Sequence, residues 1–332
     1  MGSGGSFGAS PLRQHIGLGK AARIVDLEVW WPTTNTRQHV ANPQKNQTLE
    51  IKEPAQDAAD TATFARYAMR GMVMKVAASR QSFMVSHDSV PGVMDAMTMS
   101  FDVRQPTELD GVTPGATVEF TLVFGNASIY AEHVRVRPYQ GVEQDPLTAG
   151  RLSLLRRISS AGQTAPPLTT GEPVPDFSLI DQARRPVRLS QFRGKVVAIN
   201  FIYTSCALPQ FCFRIANNFG VAAKRFADRL GQDLVLLTVS FDPVRDQPEK
   251  LAAYASQWDA NPATWHFLTG ATAEIRRMCA LFGVDFFPDE GLMNHSSHTA
   301  VIDRDGRLLA NIEGNQFTAS QLGDLIEVAL KR

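Results

Sequence analysis

Cysteine is scarce, with three residues in 332. So few cannot staple a disulfide-dense secreted scaffold. An excess of charge of one sign is also missing. Lys+Arg and Asp+Glu are both 33, and the isoelectric point is near 7.1, which argues against an electrostatic binder of nucleic acid or of anionic membranes. No run of about 20 apolar residues occurs, so no membrane span is expected. The opening Met1-Gly-Ser-Gly-Gly-Ser-Phe7 lacks a charged segment followed by an apolar one, so no export signal is expected there. What is present suffices for large cores: 44% of residues are apolar and 20% charged, an ordinary globular balance. At roughly 100–200 residues per domain, the length allows two domains plus tails.

Composition divides the chain into four parts. Residues 1–63 are polar and read as a flexible N-terminal arm, with Trp30-Trp31-Pro32 as its one bulky apolar cluster. Residues 64–138 carry five short runs rich in Val, Phe, Met and Thr, at 67–77, 82–86, 97–103, 118–123 and 128–136. Gly and Pro punctuate these runs, as expected of a small all-β, five-stranded barrel. Residues 139–170 have the Pro/Gly content of a linker, with a short basic helix expected over 149–158. Residues 171–332 read as α/β. The continuous apolar runs 196–203 and 234–241 are strands buried on both faces, separated by a helix over 213–230. Helices over 247–258 and 272–281, a hairpin over 298–303 and 308–313, and a closing helix over 320–330 complete the thioredoxin-like order β-α-β, then ββ-α.

Two of the cysteines sit just beyond the first buried strand, in Thr204-Ser205-Cys206-Ala207-Leu208-Pro209-Gln210-Phe211-Cys212. Ligands collect at the carboxyl edge of such sheets. On one continuous helix a six-residue step would turn the two side chains about 240° apart. Pro209 disfavours helix at Leu208, so Cys206 is expected on a loop folded back over Cys212, and Cys212 at the start of the following helix. Two thiolates suit Cu(I), Zn(II) and disulfide exchange alike. His295, in Leu292-Met293-Asn294-His295-Ser296-Ser297-His298, is the candidate third donor that favours metal. His298 reads as a hairpin residue and Cys279 as a buried small hydrophobe.

With these residues in place, 171–332 resembles the Sco/SenC proteins, thioredoxin-fold copper chaperones linked to cytochrome c oxidase assembly. The resemblance is carried by Pro175-Asp176-Phe177, Gly194-Lys195, Phe201-Ile202-Tyr203-Thr204-Ser205-Cys206, Asp242-Pro243 with Asp246, and His295 upstream of Asp305-Gly306. It implies copper held by Cys206, Cys212 and His295. The commonest family spacing puts three residues between the cysteines and a proline after each. This chain has five residues between them, with Ala207 and Phe213 at the proline positions.

Upstream, the stretch from His87 through Met94 and Asp95-Ala96-Met97-Thr98-Met99 collects soft donors. Met97 and Met99 share one face of a strand, and the Pro91-Gly92 turn can fold His87 back over them. Thioethers with an imidazole favour Cu(I) or Ag(I), and thioethers need no deprotonation. Residues 66–138 resemble the CusF-like periplasmic copper-binding domain, an OB-type barrel. The resemblance implies Cu(I) bound by His87, Met97 and Met99, with Met94 standing where the family has an aromatic cap. Met69, Met72, Met74 and Met84 are expected in cores, and His133 on a late strand without a role.

The sequence thus predicts a two-domain copper metallochaperone, its linker holding the two sites at high effective concentration so that Cu(I) passes between them. Its expected partners are the copper-site subunit of cytochrome c oxidase, or another copper-receiving protein, and a thioredoxin-like reductant. The resemblances place it in the periplasm; the absence of a visible signal leaves the cytoplasm as the alternative. The competing function is a thiol–disulfide oxidoreductase that reduces a client's cysteines through Cys206 and Cys212. A peroxiredoxin fits less well, because the loop lacks that family's Pro-x-x-x-[Thr/Ser]-x-x-Cys arrangement.

Overall fold

Strands form where the sequence alternates or runs apolar, and among the described residues they fall into four sheets. The structure is a computed structural model that describes residues 16–31, 36–52, 65–125, 128–139, 150, 154, 166–206, 209–289 and 292–332. Contacts divide the chain into two units, Met1–Ala62 and Thr63–Arg332. In the first, β1 (Asp26–Trp31) pairs antiparallel with β2 (Thr36–Ala41). This hairpin lies inside what the sequence presents as an arm. Trp31 donates from Nε1 to Gln38 Oε1 at 3.1 Å, and Trp30 stays 56% exposed. Of the predicted helix over 149–158 only residues 150 and 154 are described, both helical, and most of the linker lies outside the described residues.

The second unit begins with five antiparallel strands: β3 (Ala65–Val76), β4 (Ser82–His87), β5 (Met97–Asp102), β6 (Thr117–Phe124) and β7 (Ile129–Val136), in the order β5-β4-β3-β6-β7. Met69, Val73, Phe83, Val85, Phe101 and Phe120 fill its inner face. A further bridge joins Val103 to Ala131, just beyond β5 and on β7.

A seven-stranded sheet follows, in the order β16-β15-β10-β11-β12-β8-β9. Its strands are β8 (Ser178–Asp181), β9 (Pro186–Arg188), β10 (Val196–Ile202), β11 (Leu234–Ser240), β12 (Trp265–Thr269), β15 (His298–Ile302) and β16 (Leu308–Glu313). Parallel β10, β11 and β12 form its centre, and every residue of all three is buried. The helices packed on this sheet, among the described residues, are α1 (Arg214–Arg225), α2 (Pro248–Ser256), α3 (Thr272–Leu281) and α4 (Ala319–Leu330). α4 opens on a capping box, Thr318 with Gln321. α1 is shorter than its apolar spacing predicts. The chain leaves it at Phe226 and reverses at Gly231, whose φ is +79°. Leu230 keeps the periodicity going only because the turn packs on the same core.

β13 (Phe286–Asp289) and β14 (Leu292–His295) form an extra hairpin in a stretch to which the apolar pattern assigns no strand. Phe286 packs on Phe241 with ring centroids 5.4 Å apart, which gives the hairpin an apolar anchor.

The five-stranded sheet is not merely tethered to the seven-stranded one. Met72 and Met74, 2% and 0% exposed, belong to the same core as Leu309, Ala310 and Ile312 of β16 and Leu322 and Leu325 of α4. Each methionine so buried contributes roughly 1.5–3 kcal/mol. Asp324 of α4 accepts from Ser86 Oγ at 3.2 Å and from Thr98 Oγ1 at 2.5 Å. The close association therefore rests on this junction and not on the linker's length. No helix among the described residues is long and apolar enough to cross a membrane.

Candidate metal centre

The fully buried β10 delivers the chain to Tyr203-Thr204-Ser205-Cys206 at its carboxyl end. A buried carboxylate organises this loop. Asp246 accepts from the Thr204 amide at 2.9 Å, from Thr204 Oγ1 at 2.6 Å and from Ser240 Oγ at 2.6 Å. Lys250 lies 3.4 Å from the same carboxylate and donates to Ser205 Oγ at 2.8 Å. The two residues before Cys206 are thus both tied down. Pro209–Phe213 then forms one wide turn, interrupted at Phe211 (φ −106°, ψ −109°). Such π-type turns recur at functional sites, and this one sets Cys212 ahead of α1 while Cys206 lies off the helix, as Pro209 predicts.

His295 arrives from the end of β14. It is 6% exposed, with ring centroids of Phe241, Tyr203 and Phe211 at 4.7, 5.8 and 6.1 Å. Its Nδ1 lies 3.0 Å from the Ser296 carbonyl oxygen. A carbonyl only accepts, so Nδ1 carries the proton and Nε2 keeps a lone pair. Nε2 faces Cys212 Sγ at 3.9 Å, and the donor atoms of Cys206, Cys212 and His295 all lie within 4.8 Å of one another. An ion about 2.0–2.3 Å from each of three donors needs edges of about 3.7–4.0 Å. Small side-chain movements close that gap.

Burial pushes the Cys212 thiol well above its ordinary range, and the neighbouring Cys206 adds to the shift. The Tyr203 hydroxyl is raised likewise, by burial and then by Cys206. This pocket disfavours uncompensated negative charge. Two thiolates become stable in it when a cation sits between them.

Residues 166–330 match the family model described as SCO1/SenC. That stretch belongs to the SCO1/SenC family. Protein sco1 of Schizosaccharomyces pombe is 29% identical over 158 residues, covering 45% of this chain and 58% of that protein. The chain therefore spans little more than half the length of this relative. The SCO1 protein homolog of Bacillus subtilis is 26% identical over 177 residues, covering 52% of this chain and 89% of that one. The crystal structure of yeast Sco1 with copper bound aligns at 25% identity and a TM-score of 0.41, covering 49% and 90% of the two chains. Residues 66–128 match the model for the copper binding periplasmic protein CusF, and residues 1–58 match ASPIC and UnbV.

Within the CusF-like stretch the other candidate donors fall on one pair of strands and the turn between them. His87, at the end of β4, stands directly across from Met97 of β5, and Val85 across from Met99. Period-two alternation puts His87, Met97 and Met99 on one face. Ser86 and Thr98, on the other face, turn to Asp324. Met94 closes a turn through a bridge to Val90 and packs, like Met99, on the inner core. His87 Nδ1 lies 2.8 Å from the Asp88 carbonyl oxygen. Its Nε2 is buried, with no hydrogen-bond partner among the described residues. Both candidate histidines are thus held in one tautomer by the carbonyl of the next residue, with the lone pair on Nε2.

The remaining candidates have structural places. Cys279 is buried on the core face of α3, and His298 Nδ1 lies 3.2 Å from Asn311 Oδ1. His133 is an exposed residue of β7 with φ +56°. Sequence reasoning gave no role to Gly71, which passes against His87. A glycine in mid-strand is the signal of such a close backbone approach.

Proposed function

We propose that this protein is a copper metallochaperone that supplies copper during cytochrome c oxidase assembly. Copper is its cargo, held at one site by Cys206, Cys212 and His295 and at a second by His87, Met97 and Met99, with Met94 as a further thioether. The observation that carries this reading is the convergence of two thiols and a tautomer-locked imidazole within 4.8 Å. Thiolate and thioether donors select soft ions, and the two matching families carry copper-binding relatives. The five-stranded sheet closes into a barrel in this reading, supported by the Val103–Ala131 bridge. The family matches favour a periplasmic setting. Expected partners are an oxidase copper-site subunit as recipient and a thioredoxin-like protein to keep the thiols reduced.

Anaerobic Cu(I) titration against a competing chelator tests the assignment. Two equivalents are expected for the reduced chain, and one each for Cys206→Ser/Cys212→Ser and for His87→Ala/Met97→Leu/Met99→Leu. Unchanged stoichiometry in either variant refutes that site. Transfer to a soluble oxidase copper-site fragment tests the delivery role.

The competing reading, a dithiol reductase, is favoured by one observation: Cys206 is half-exposed beside a buried Cys212, as in an attacking and resolving pair. Rapid disulfide exchange with a client, coupled with weak copper binding, would decide for it.

Acidity separates the two copper sites. Because the Cys212 thiol is raised by burial, copper must displace a proton to bind it. Affinity at the thiolate site is expected to rise about tenfold per pH unit for each proton released, between pH 6 and 8. The His87 site, with no thiol, changes less. The same shift has a stability consequence. A thiol raised in the fold stabilises it fully below the ordinary thiol pKa of about 8.5, and that contribution is lost as pH rises toward the folded value. Chelator competition at three pH values checks the first point; a pH-independent Kd at the thiolate site contradicts it.

A further inference from the structure

We infer that the two copper sites are separate ports and not stations of a relay, so that copper moving from one to the other leaves the chain. This rests on the two-site reading above and adds what the domain junction imposes on it.

α1 and α4 run side by side in the same direction. Arg214 donates to the Gln316 carbonyl at 3.1 Å and Asn218 to that of Phe317 at 3.0 Å. Further along, Arg225 pairs with Asp324 at 2.8 Å and with Glu327 at 2.7 Å. Cys212, just ahead of α1, is therefore level with the start of α4. The CusF-like sheet meets α4 further along. Ser86 and Thr98 hydrogen-bond Asp324, and Gln321 Nε2 donates to the Ser86 carbonyl at 3.5 Å. His87 and Met97 are the neighbours of Ser86 and Thr98, so their site sits at the level of Arg225. The chain between Cys212 and Arg225 climbs about 15–20 Å at 1.5 Å per helical residue.

Orientation adds to that distance. Ser86 and Thr98 face α4, so by alternation His87, Met97 and Met99 face away from it. Ligand exchange needs donors of both sets within about 2.3 Å of one ion, which side-chain motion cannot supply across this gap. The junction also resists opening, because Met72 and Met74 are buried in the shared core. Each site has its own exposed donor: Met97 is 52% exposed and Cys206 is half-exposed. The partner that loads or unloads either port is a second protein presenting soft donors of its own.

Transfer kinetics test this. The full chain is loaded with one Cu(I) while Cys206 and Cys212 are held as a disulfide, then reduced with excess phosphine, and arrival at the thiolates is read by near-ultraviolet absorbance. The expected rate doubles when protein concentration doubles. It also matches that of a mixture of Cu(I)-loaded Cys206→Ser/Cys212→Ser chain with reduced, copper-free His87→Ala/Met97→Leu/Met99→Leu chain. A concentration-independent rate at least tenfold above the mixture overturns the inference. Loosening the junction by Met74→Asp with Asp324→Ala is expected to introduce such a concentration-independent phase; if the loosened chain still shows only second-order transfer, the junction is not what separates the sites and the inference falls. If the Cys206→Ser/Cys212→Ser chain takes up no copper, the two-site reading fails first, and that is seen before any mixing.

Discussion

Cys212→Ser is expected to lower Cu(I) affinity at the thiolate site by on the order of 1,000-fold, about 4 kcal/mol. A hydroxyl is a hard, neutral oxygen where a soft anionic sulfur stood, and Cu(I) discriminates between the two. The fold should tolerate the change. Position 212 lies in a turn ahead of α1, 1% exposed, and a serine hydroxyl there still has His295 Nε2 as an acceptor near the position of the sulfur. Cys279→Ser supplies the control. Burial raises the Cys279 thiol too, but it lies on the core face of α3, outside the donor cluster, so its loss should leave affinity unchanged. Chelator competition measures affinity, and thermal melting separates it from stability. A loss under tenfold for Cys212→Ser, with a normal melt, removes Cys212 from the site.

The sequence exposes the two thiols more plainly than the third donor. Residues 196–203 are an unbroken apolar run, and a buried parallel strand ends where ligands gather, so Cys206 and Cys212 read directly as a site. His295 is legible only as a histidine far along the chain that could supply a third donor, a reading the family resemblance then strengthens. The hairpin that carries it pairs Phe286 with His295, and four-residue strands are too short for period-two alternation to stand out. Asp246 shows the same limit: its role depends on Thr204 and Ser240 arriving from two other strand ends.

The five strands of the CusF-like stretch were legible from alternation and turn residues, to within about two residues at most ends. Their attachment to the SCO1/SenC domain was not. Met72 and Met74 read correctly as core residues, but their partners on α4 lie about 250 residues further along the chain, and nothing local names them. Alternation on β3 suggests one buried face, whereas Gly71 through Met74 are all buried. Both faces are covered, one by the sheet's own core and the other by α4 and β16.

Gly71→Val is expected to destabilise the CusF-like sheet by about 1–3 kcal/mol or more and to weaken Cu(I) binding at His87 while sparing the thiolate site. Gly71 pairs directly with His87 across β3 and β4. A Cβ at position 71 would lie 2.5 Å from the Ser86 carbonyl oxygen, 2.6 Å from His87 Cα and 2.6 Å from Val85 Cγ1. Two of those three atoms belong to backbone, which cannot swing aside as a long side chain does. Relief therefore requires β4 to move. That shift carries His87 out of register with Met97, and it pulls Ser86 from Asp324, so the proposed metal site and the domain junction are strained together. Alanine at 71 meets the same backbone atoms and should show a smaller effect of the same sign. Thermal melting reads the first consequence, and Cu(I) stoichiometry in a Cys206→Ser/Cys212→Ser background reads the second. A Gly71→Val chain that melts normally and still binds one Cu(I) at full affinity would show that β4 and His87 do not depend on this close approach.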